Sequence, residues 1–308
     1  MIIIGAGMAG LLAGGMTKDQ PSSIFEKQAS LPNNHSSVLR FRTSAVGDAL
    51  GIEFKEVMVM KAVASIGNPI ADALSYSTKC TGVAMLRSIS SANGELVKRY
   101  IAPPDLITQM STRVDKITYE TPLTRQDSIK GIISTIPMPD LMKLMDYPEP
   151  HPEFRAVPGV TVTAEIDNVD AYASLYIPDR SMIFNRVSIT GKILTAEIAF
   201  PEHRPDDHFP DFSTGYGSLV VEQSLLLLGL RDNSYGLVNA SEQPYSKILP
   251  IDEGARRRFV MWASDRGIYS YGRFATWRPT LLLDDLIHDY RVIRRLMANV
   301  GAHYEQRK

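Results

Sequence analysis

The sequence predicts an α/β protein in which a parallel sheet with helices carries a smaller, inserted antiparallel-sheet domain (α+β). A short β-branched run, Ile2 to Ile4, leads into glycines and a helix-compatible stretch, which is typical of a strand, a tight turn and a helix. Later segments alternate apolar and polar residues in the manner of antiparallel strands with one packed face. The 308 residues are enough for about two domains.

The first sixteen residues carry no charged side chain, so an export signal and a membrane span both have to be considered. A signal peptide needs positive charge ahead of its apolar stretch, whereas the first lysine here is Lys18. A spanning helix needs roughly 20 apolar residues. This stretch ends at Thr17 and contains five glycines. We therefore expect a binding element of a cytoplasmic protein that has no membrane partner.

The glycines of this element have the spacing G-x-G-x-x-G of a dinucleotide-binding turn, at Gly5, Gly7 and Gly10. In that motif the first glycine makes the turn, and the second lets the backbone approach a pyrophosphate. The third lets the helix pack closely on the strand. The N–H groups at the start of the helix then face the anion.

An acidic residue at the end of the next predicted strand extends the motif. Residues 23–26 read as this strand, and Glu26 lies twenty-one residues after Gly5. A carboxylate binds a ribose hydroxyl at a spacing of about 20. Gly14 extends the pattern to G-x-G-x-x-G-x-x-x-G, which resembles the FAD-binding form more than the NAD form. The alternative is that Gly14 ends a short helix and Glu26 is a solvated strand end.

The composition is that of a soluble enzyme without a metal site. A net charge of −1 gives no overall attraction to nucleic acid or to anionic membranes. The single cysteine, Cys80, excludes an internal disulfide and a cysteine-based metal cluster. We interpret Cys80 as a buried apolar residue, with a covalent flavin anchor as the alternative. The six histidines show no metal-ligand spacing.

The stretch that follows the opening element contains a loop and then two arginines. Residues 31–37 read as a loop. Arg40 and Arg42 then alternate with apolar neighbours, so on a strand both guanidiniums would share one face. Two cations on one face can hold a diphosphate or form a solvated strand face, and both interpretations remain open.

The middle of the chain predicts three further strands and two helices. Pro103 and Pro104 break a strand ahead of a helix, and residues 113–117 look strand-like. Residues 132–133 make a buried strand, from which residues 134–137 turn away. A helix begins at Asp140, with Leu141, Leu144 and Met145 on one face.

Near the end of the chain, a glycine and an arginine precede a predicted helix. Gly272 would let the chain pass close to a ligand, and Arg273 offers a fork of donors suited to phosphate oxygens. The helix runs from Leu281 to Tyr290, and Asp284 and Asp285 in its first turn suit the helix dipole. Its predicted inward residues are Leu282, Leu286, Ile287 and Tyr290. The alternative is an ordinary helix with Arg273 in a surface ion pair.

Together these stretches resemble a flavoprotein superfamily that contains amine oxidases, protoporphyrinogen oxidase and UDP-galactopyranose mutase. Its members join the glycine motif to an ST-x-P strand end near the flavin, matched here by residues 134–137. They also place a Gly-Arg-Phe segment, matched by residues 272–274, ahead of the helix that meets the flavin ring. The resemblance implies a Rossmann-like FAD-binding domain, noncovalent FAD and these cofactor-binding residues: Gly5, Ala6, Gly7, Met8, Ala9, Gly10, Glu26, Lys27, Arg40, Arg42, Val114, Thr135, Pro137, Gly272, Arg273, Leu282 and Leu283.

The chain departs from the superfamily pattern in two ways. Residues 28–37 contain no glycine, whereas amine oxidases carry a glycine-rich, arginine-containing loop there. The chain is also short for the superfamily, which implies a trimmed substrate domain. We expect an FAD-binding domain from residues 1–50, 91–150 and 251–308, and a substrate domain from residues 51–90 and 151–250.

The resemblance implies an FAD-dependent oxidoreductase that takes a hydride from the C–N carbon of an amino-acid-like amine, with no side-chain base required. Compact phage-encoded relatives that oxidise amino-acid-modified thymine in DNA make a modified nucleotide a candidate partner besides a free small molecule. Two alternatives remain. One is a mutase-like isomerase of a nucleotide sugar, favoured by Arg186 and the "YIPD" stretch. The other is a flavin-binding protein without turnover.

Aromatic and cationic residues of the substrate side are candidates for contact with the substrate. Aromatic walls flank the flavin in amine oxidases, and cations recognise acidic substrates. The candidate catalytic residues are Tyr269, Tyr271, Trp277, Arg186 and Lys247, and Tyr176, Phe184, Asn185 and Tyr245 are candidates for the same face.

Overall fold

A computed structural model of the protein describes residues 1–31, 39–86, 89, 94–124, 131–202, 210–212 and 215–305, with side chains up to residue 298. Most of the loop predicted at residues 31–37 lies outside these ranges. Two sheets organise the described chain, one of five strands and one of eight. The α/β class with a second sheet is therefore confirmed.

The five-stranded sheet is entirely parallel, in the order β13-β7-β1-β2-β6. The chain leaves β1 through helix α1 (Met8–Met16) to reach β2, and β7 lies on the other side of β1. The strand order thus reverses at β1, and an open sheet of this kind binds ligands beyond the carboxyl ends of its strands at such a point. The strands are β1 (Ile2–Ile4), β2 (Ser23–Phe25), β6 (Lys116–Thr118), β7 (Ile132–Ser134) and β13 (Ile268–Ser270).

Two element boundaries around this sheet lie more than one residue from those predicted. Residues 113–115 form a turn, and only residues from Lys116 onward pair with β2. Helix α5 (Met138–Leu144) begins two residues before Asp140. This start places Met138, Leu141 and Met142 on the buried face, at helical spacing, and leaves Leu144 and Met145 half-buried.

The last helix also begins later than predicted. Helix α8 runs from Leu283 to Glu305, and the Asp285 carboxylate accepts a hydrogen bond from the Leu282 amide at 2.9 Å. This cap holds Leu282 outside the helix, where it is 37% exposed instead of inward-facing. Leu286, Ile287 and Tyr290 are buried as predicted.

The eight-stranded sheet has the order β12-β8-β11-β10-β9-β4-β5-β3. Neighbouring strands are antiparallel except for β4 and β9, which pair in parallel. Its strands are β3 (Arg40–Phe41), β4 (Lys55–Val63), β5 (Glu95–Ile101), β8 (Ala156–Ile166), β9 (Ala171–Tyr176), β10 (Arg186–Gly191), β11 (Ile193–Ala199) and β12 (Tyr235–Ile248).

The two faces of this second sheet differ sharply in polarity, because successive side chains of a strand point to opposite faces. One face carries a row through Val162, Ala196 and Val187, and its buried residues form a core together with helix α6 (Gly215–Leu228). The other face carries a row through Thr163, Thr195, Ser188 and Ser174. We call this second surface the polar face.

Strand pairing bears on the domain ranges, which remain a prediction. Strands β3 and β5 lie within the ranges expected for the FAD-binding domain, yet both are paired in the second sheet. The remaining helices are α2 (Ala45–Leu50), α3 (Pro69–Thr81), α4 (Leu106–Ser111) and α7 (Glu253–Ser264). None of the helices that the described ranges contain has the length and apolarity needed to cross a membrane.

Candidate functional site

The glycine turn at the end of β1 is packed so closely that two of its glycines admit no side chain. A Cβ on Gly10 would lie 1.9 Å from the Gly5 carbonyl oxygen. Gly5 itself has a φ of +95°, and a Cβ there would lie 2.2 Å from Thr135 Oγ1. These contacts bring the start of α1 directly onto the strand end, as the motif predicts.

Gly7 has the opposite surroundings. Among the described residues, no heavy atom lies within 4 Å of the position that a Cβ on Gly7 would take. Gly7 is the N-cap of α1, and in the described part of the chain this helix start has no side-chain cap. The first N–H groups of a helix have no partner within the helix. The start of α1 therefore presents open space and backbone donors suited to an anion.

Glu26 is fixed beside this turn. Its Oε2 accepts a hydrogen bond from the Ala6 amide at 2.6 Å, and its Oε1 accepts one from the Gln28 amide at 2.9 Å. Glu26 is 8% exposed, so it is not a solvated strand end. Because each carboxylate oxygen has two lone pairs, Glu26 can still accept hydrogen bonds from ribose hydroxyls.

The strand end at residues 134–137 meets the turn as well. The Thr135 amide and hydroxyl both donate to the Ile4 carbonyl, at 2.9 and 2.8 Å. Pro137 precedes α5 as its N-cap residue. Val114 packs under α1, because its Cγ2 lies 2.9 Å from the position of a Cβ on Gly14. Lys27 is exposed.

The Gly-Arg-Phe segment lies against the same turn although it is more than 260 residues away in the sequence. Gly272 has a φ of +108°, and a Cβ there would lie 3.0 Å from the Cβ of Ala9 in the first turn of α1. The neighbouring Tyr271 amide donates to the Ser134 carbonyl at 2.9 Å. Arg273 is half-buried, with its guanidinium carbon 5.8 Å from the ring centroid of Phe274.

The start of α8 is tied to the segment after β3. Asp284 Oδ1 accepts hydrogen bonds from the Thr43 amide at 2.9 Å and from its hydroxyl at 2.7 Å. Asp284 Oδ2 accepts one from the Arg42 amide at 3.4 Å. The carboxylate of Asp284 thus holds this segment to the helix, a role the sequence did not indicate. Leu283 is the first residue of α8.

The two arginines expected on one strand face have different surroundings. Arg42 lies beyond the end of β3 and is exposed. The Arg40 side chain instead reaches the second sheet, where its Nη1 donates to the Ala173 carbonyl at 3.3 Å. Burial, together with the positive charge of Arg186, lowers the pKa of Arg40 to about 10.

Four of the aromatic candidates lie in the core. Tyr271 is fully buried, and its hydroxyl donates to the Leu286 carbonyl at 3.1 Å. The indole N–H of Trp277 donates to the Leu249 carbonyl at 2.9 Å. Tyr269 and Phe184 are 4% and 0% exposed. These four side chains therefore pack within the hydrophobic cores of the protein.

The remaining candidates meet at one end of the polar face. Arg186 is paired in register with Tyr176 on β9 and with Glu197 on β11, and its guanidinium forms an ion pair with Glu197. Lys247 Nζ lies 3.5 Å from Glu197 Oε2. Asn185 precedes Arg186 and is buried. Tyr245 lies near Phe274, with ring centroids 5.4 Å apart, which links this group to the Gly-Arg-Phe segment.

Two residues of this group were missed from the sequence. Lys61 Nζ lies 5.8 Å from the ring centroid of Tyr176, and Glu197 pairs with two cations. Lys61 points to the same face of β4 as Val57 and Val59, which are both buried. A lysine at an inward position of an alternating strand is the signal that could have identified it.

The carboxyl edge of the first sheet also holds buried polar atoms that fit a ligand. Within the described residues, Thr118 Oγ1 on β6 and Ser270 Oγ on β13 are buried without a hydrogen-bond partner. Both residues end their strands, at opposite edges of the sheet. Four strand spacings of about 4.8 Å separate these edges. Polar atoms spread over that width suit a long, polar ligand that lies across the strand ends. Among the described residues, no group of three or more histidine, cysteine, aspartate or glutamate side chains is arranged to hold a metal ion.

Neither models of known protein families nor curated protein sequences match the chain. Solved structures match its fold. A reduced UDP-galactopyranose mutase has a TM-score of 0.65 at 11% identity, over 98% of this chain and 93% of that chain. A fatty acid isomerase from P. acnes has a TM-score of 0.59 at 12% identity, over 96% and 97%. A glycine oxidase from Bacillus cereus ATCC 14579 has a TM-score of 0.56 at 13% identity, over 95% and 94%.

Proposed function

We propose that the chain is an FAD-dependent oxidoreductase. Its motifs resemble those of a flavoprotein superfamily, and its fold is similar to that of a UDP-galactopyranose mutase and of a glycine oxidase. The observation that carries the proposal is the glycine turn, where α1 begins in open space at Gly7 and the Glu26 carboxylate is fixed beside Ala6. A pyrophosphate would meet the N–H groups of α1, and Glu26 would accept hydrogen bonds from the ribose. The Glu26 carboxylate would repel a 2′-phosphate, which favours FAD over NADP.

The reaction we propose is oxidation of an amine of an amino-acid-like substrate. When bound, FAD supplies an acceptor for a hydride from the substrate C–H bond. The residues of the chain then have to hold that bond in position and exclude water. The polar face near Tyr245 and Arg186 is the surface we assign to this task, because it lies next to the Gly-Arg-Phe segment. A glycine oxidase among the similar structures supports this substrate class.

A mutase-like isomerisation of a nucleotide sugar is the second candidate. The similarity to UDP-galactopyranose mutase and the position of Arg186 on the polar face favour it. Hydrogen peroxide release or reduction of an added electron acceptor with a panel of free amino acids would support the oxidoreductase. A modified base in DNA belongs in the same panel as a separate substrate. Turnover of a nucleotide sugar without net redox change would support the isomerase.

Uptake of FAD tests the cofactor directly. We expect the purified protein to be yellow and to release free flavin on denaturation. Gly7→Val should prevent this uptake and leave the fold intact, because its backbone angles suit any residue and its side chain would enter only the space meant for pyrophosphate. FAD binding to apo protein is measured by fluorescence quenching.

Gly215→Val is the matched control for this variant. Gly215 is the first residue of α6, and a Cβ there would also lie more than 4 Å from every heavy atom of its non-adjacent described neighbours. Its FAD affinity should equal that of the wild type. Full flavin occupancy in Gly7→Val, or a wild-type protein that takes up no FAD, would contradict the proposal.

Arg273→Lys is expected to raise the FAD dissociation constant about tenfold, as expected for loss of one charge-assisted hydrogen bond. A guanidinium can bridge two phosphate oxygens, whereas an ammonium cannot. FAD titration into apo protein measures the change, with circular dichroism to verify the fold. Arg266→Lys is the control. The Arg266 guanidinium carbon lies 3.9 Å from the ring centroid of Trp262 just after α7, so this variant makes the same exchange at an arginine outside the proposed site. Equal affinities in wild type and Arg273→Lys would remove Arg273 from the site.

A further inference from the structure

Three cations surround Tyr176 on the polar face, and we name Arg40, Lys61 and Arg186 the cation cluster. They come from β3, β4 and β10, so three separate segments of the chain converge here. Arg40 reaches Ala173 on the strand that carries Tyr176. Lys61 lies over the Tyr176 ring, and Arg186 pairs with Tyr176 in register.

The negative charges near the cluster do not balance it. Glu197 is engaged by Arg186 and Lys247. Within the described part of the chain, neither Arg40 nor Lys61 forms an ion pair with a carboxylate. The Nε of Arg186 is also buried without a hydrogen-bond partner. Glu95 is paired in register with Lys61 across β4 and β5 but forms no ion pair with it. Two cations without an ion-pair partner and a guanidinium with a buried donor therefore lie around the same tyrosine.

The pKa of Tyr176 agrees with an excess of positive charge around its hydroxyl. Burial alone would raise the pKa of the Tyr176 hydroxyl, but the charges of Arg186 and Lys61 hold it below its ordinary value. Like charges also act on Arg40, because Arg186 and Arg99 both disfavour its charged form. Holding cations together in a partly buried place costs free energy unless an anion joins them. Such places are frequent at binding sites.

We infer that the cation cluster binds a dianionic group of the substrate, either two carboxylates or one phosphoryl group. A dianion can give each of the two cations that lack an ion pair, Arg40 and Lys61, a negative charge, whereas a single carboxylate can give one to only one of them. Arg40 and Arg186 supply guanidinium donors for oxygen acceptors, and Lys61 supplies an ammonium. This inference rests on the proposed function, because it takes the chain to have a substrate. It also assigns Arg40 to the substrate and not to the cofactor.

Direct anion binding tests the site without turnover. Calorimetric titrations of the purified protein with malonate, inorganic phosphate and acetate, at constant ionic strength, compare two dianions with a monoanion. Malonate or phosphate is expected to bind at least about tenfold more tightly than acetate. The preferred dianion distinguishes a dicarboxylate from a phosphoryl group. Equal affinity for all three anions, or binding of none, would overturn the inference.

Charge-removing variants then locate the binding. Lys61→Met should weaken dianion binding about tenfold, as expected for one lost charge-assisted contact. Arg40→Gln should do the same and leave the FAD dissociation constant unchanged. Lys98→Met is the matched control, since Lys98 lies on β5 of the same sheet and pairs with Glu56 while more than half exposed. Loss of FAD affinity in Arg40→Gln with intact dianion binding would return Arg40 to the cofactor. Failure of FAD uptake by the wild type would instead affect only the proposed function.

Discussion

Gly10→Ala is expected to lower the free energy of unfolding by about 3 kcal/mol and to abolish FAD binding. The added methyl would lie 1.9 Å from the Gly5 carbonyl oxygen, which is backbone and has no side-chain rotamer to change. Helix α1 would have to move away from β1. That movement would also displace the N–H groups that we expect to meet the pyrophosphate. Urea unfolding followed by circular dichroism measures the stability.

Gly7→Ala separates the two effects. It adds the same methyl group to the same turn, but no heavy atom lies within 4 Å of the new Cβ. Its free energy of unfolding should fall by only about 1 kcal/mol or less, because alanine is a poorer N-cap residue than glycine. A Gly10→Ala protein as stable as Gly7→Ala would mean that the close contact between α1 and β1 does not hold in solution.

Glu26→Ala is expected to raise the FAD dissociation constant by about tenfold to a hundredfold and also to destabilise the fold. The carboxylate would no longer accept hydrogen bonds from the ribose. The substitution would also leave the Ala6 and Gln28 amides without their acceptor, which lowers the free energy of unfolding by about 1–3 kcal/mol. FAD titration and urea unfolding measure the two quantities separately.

Asp115→Ala is the matched control for this variant. The Asp115 carboxylate accepts hydrogen bonds from the Ser22 amide at 2.8 Å and from its hydroxyl at 3.0 Å, at the amino end of β2. Its loss should destabilise the same sheet without changing FAD affinity. If the two variants weakened FAD binding equally, Glu26 would act only through stability.

Local signals predicted the strand, turn and helix that carry the glycine motif. The turn depends on residues close together in sequence, because Gly5, Gly10 and the start of α1 interact within one strand-turn-helix unit. Glu26 follows at a spacing that the geometry of the unit imposes. These few constraints explain how a chain with 11% identity to a mutase can share its fold.

Contacts between distant segments could not be predicted in this way. Arg40 and Arg42 differ in surroundings because β3 pairs with β5, a partner that no local pattern specifies. Trp277 was a candidate for the substrate face because it is aromatic. In the structure its indole N–H donates to the Leu249 carbonyl in the core. Asp284 and Asp285 had the same predicted role in the first turn of the last helix. Asp285 accepts a hydrogen bond from the Leu282 amide at the helix start, whereas Asp284 bonds the distant segment after β3.

The link between Asp284 and the segment after β3 has a consequence for how the molecule moves and unfolds. Arg40 is bonded into the second sheet, and Thr43, three residues later, is bonded to α8, which packs on the first sheet. A chain of four residues spans at most about 14 Å, so this short strap limits how far the sheets can separate. Wide hinge opening would require the strap to detach, and the loss of either sheet would release the anchor of the other. The two halves should therefore melt together in a single cooperative thermal transition.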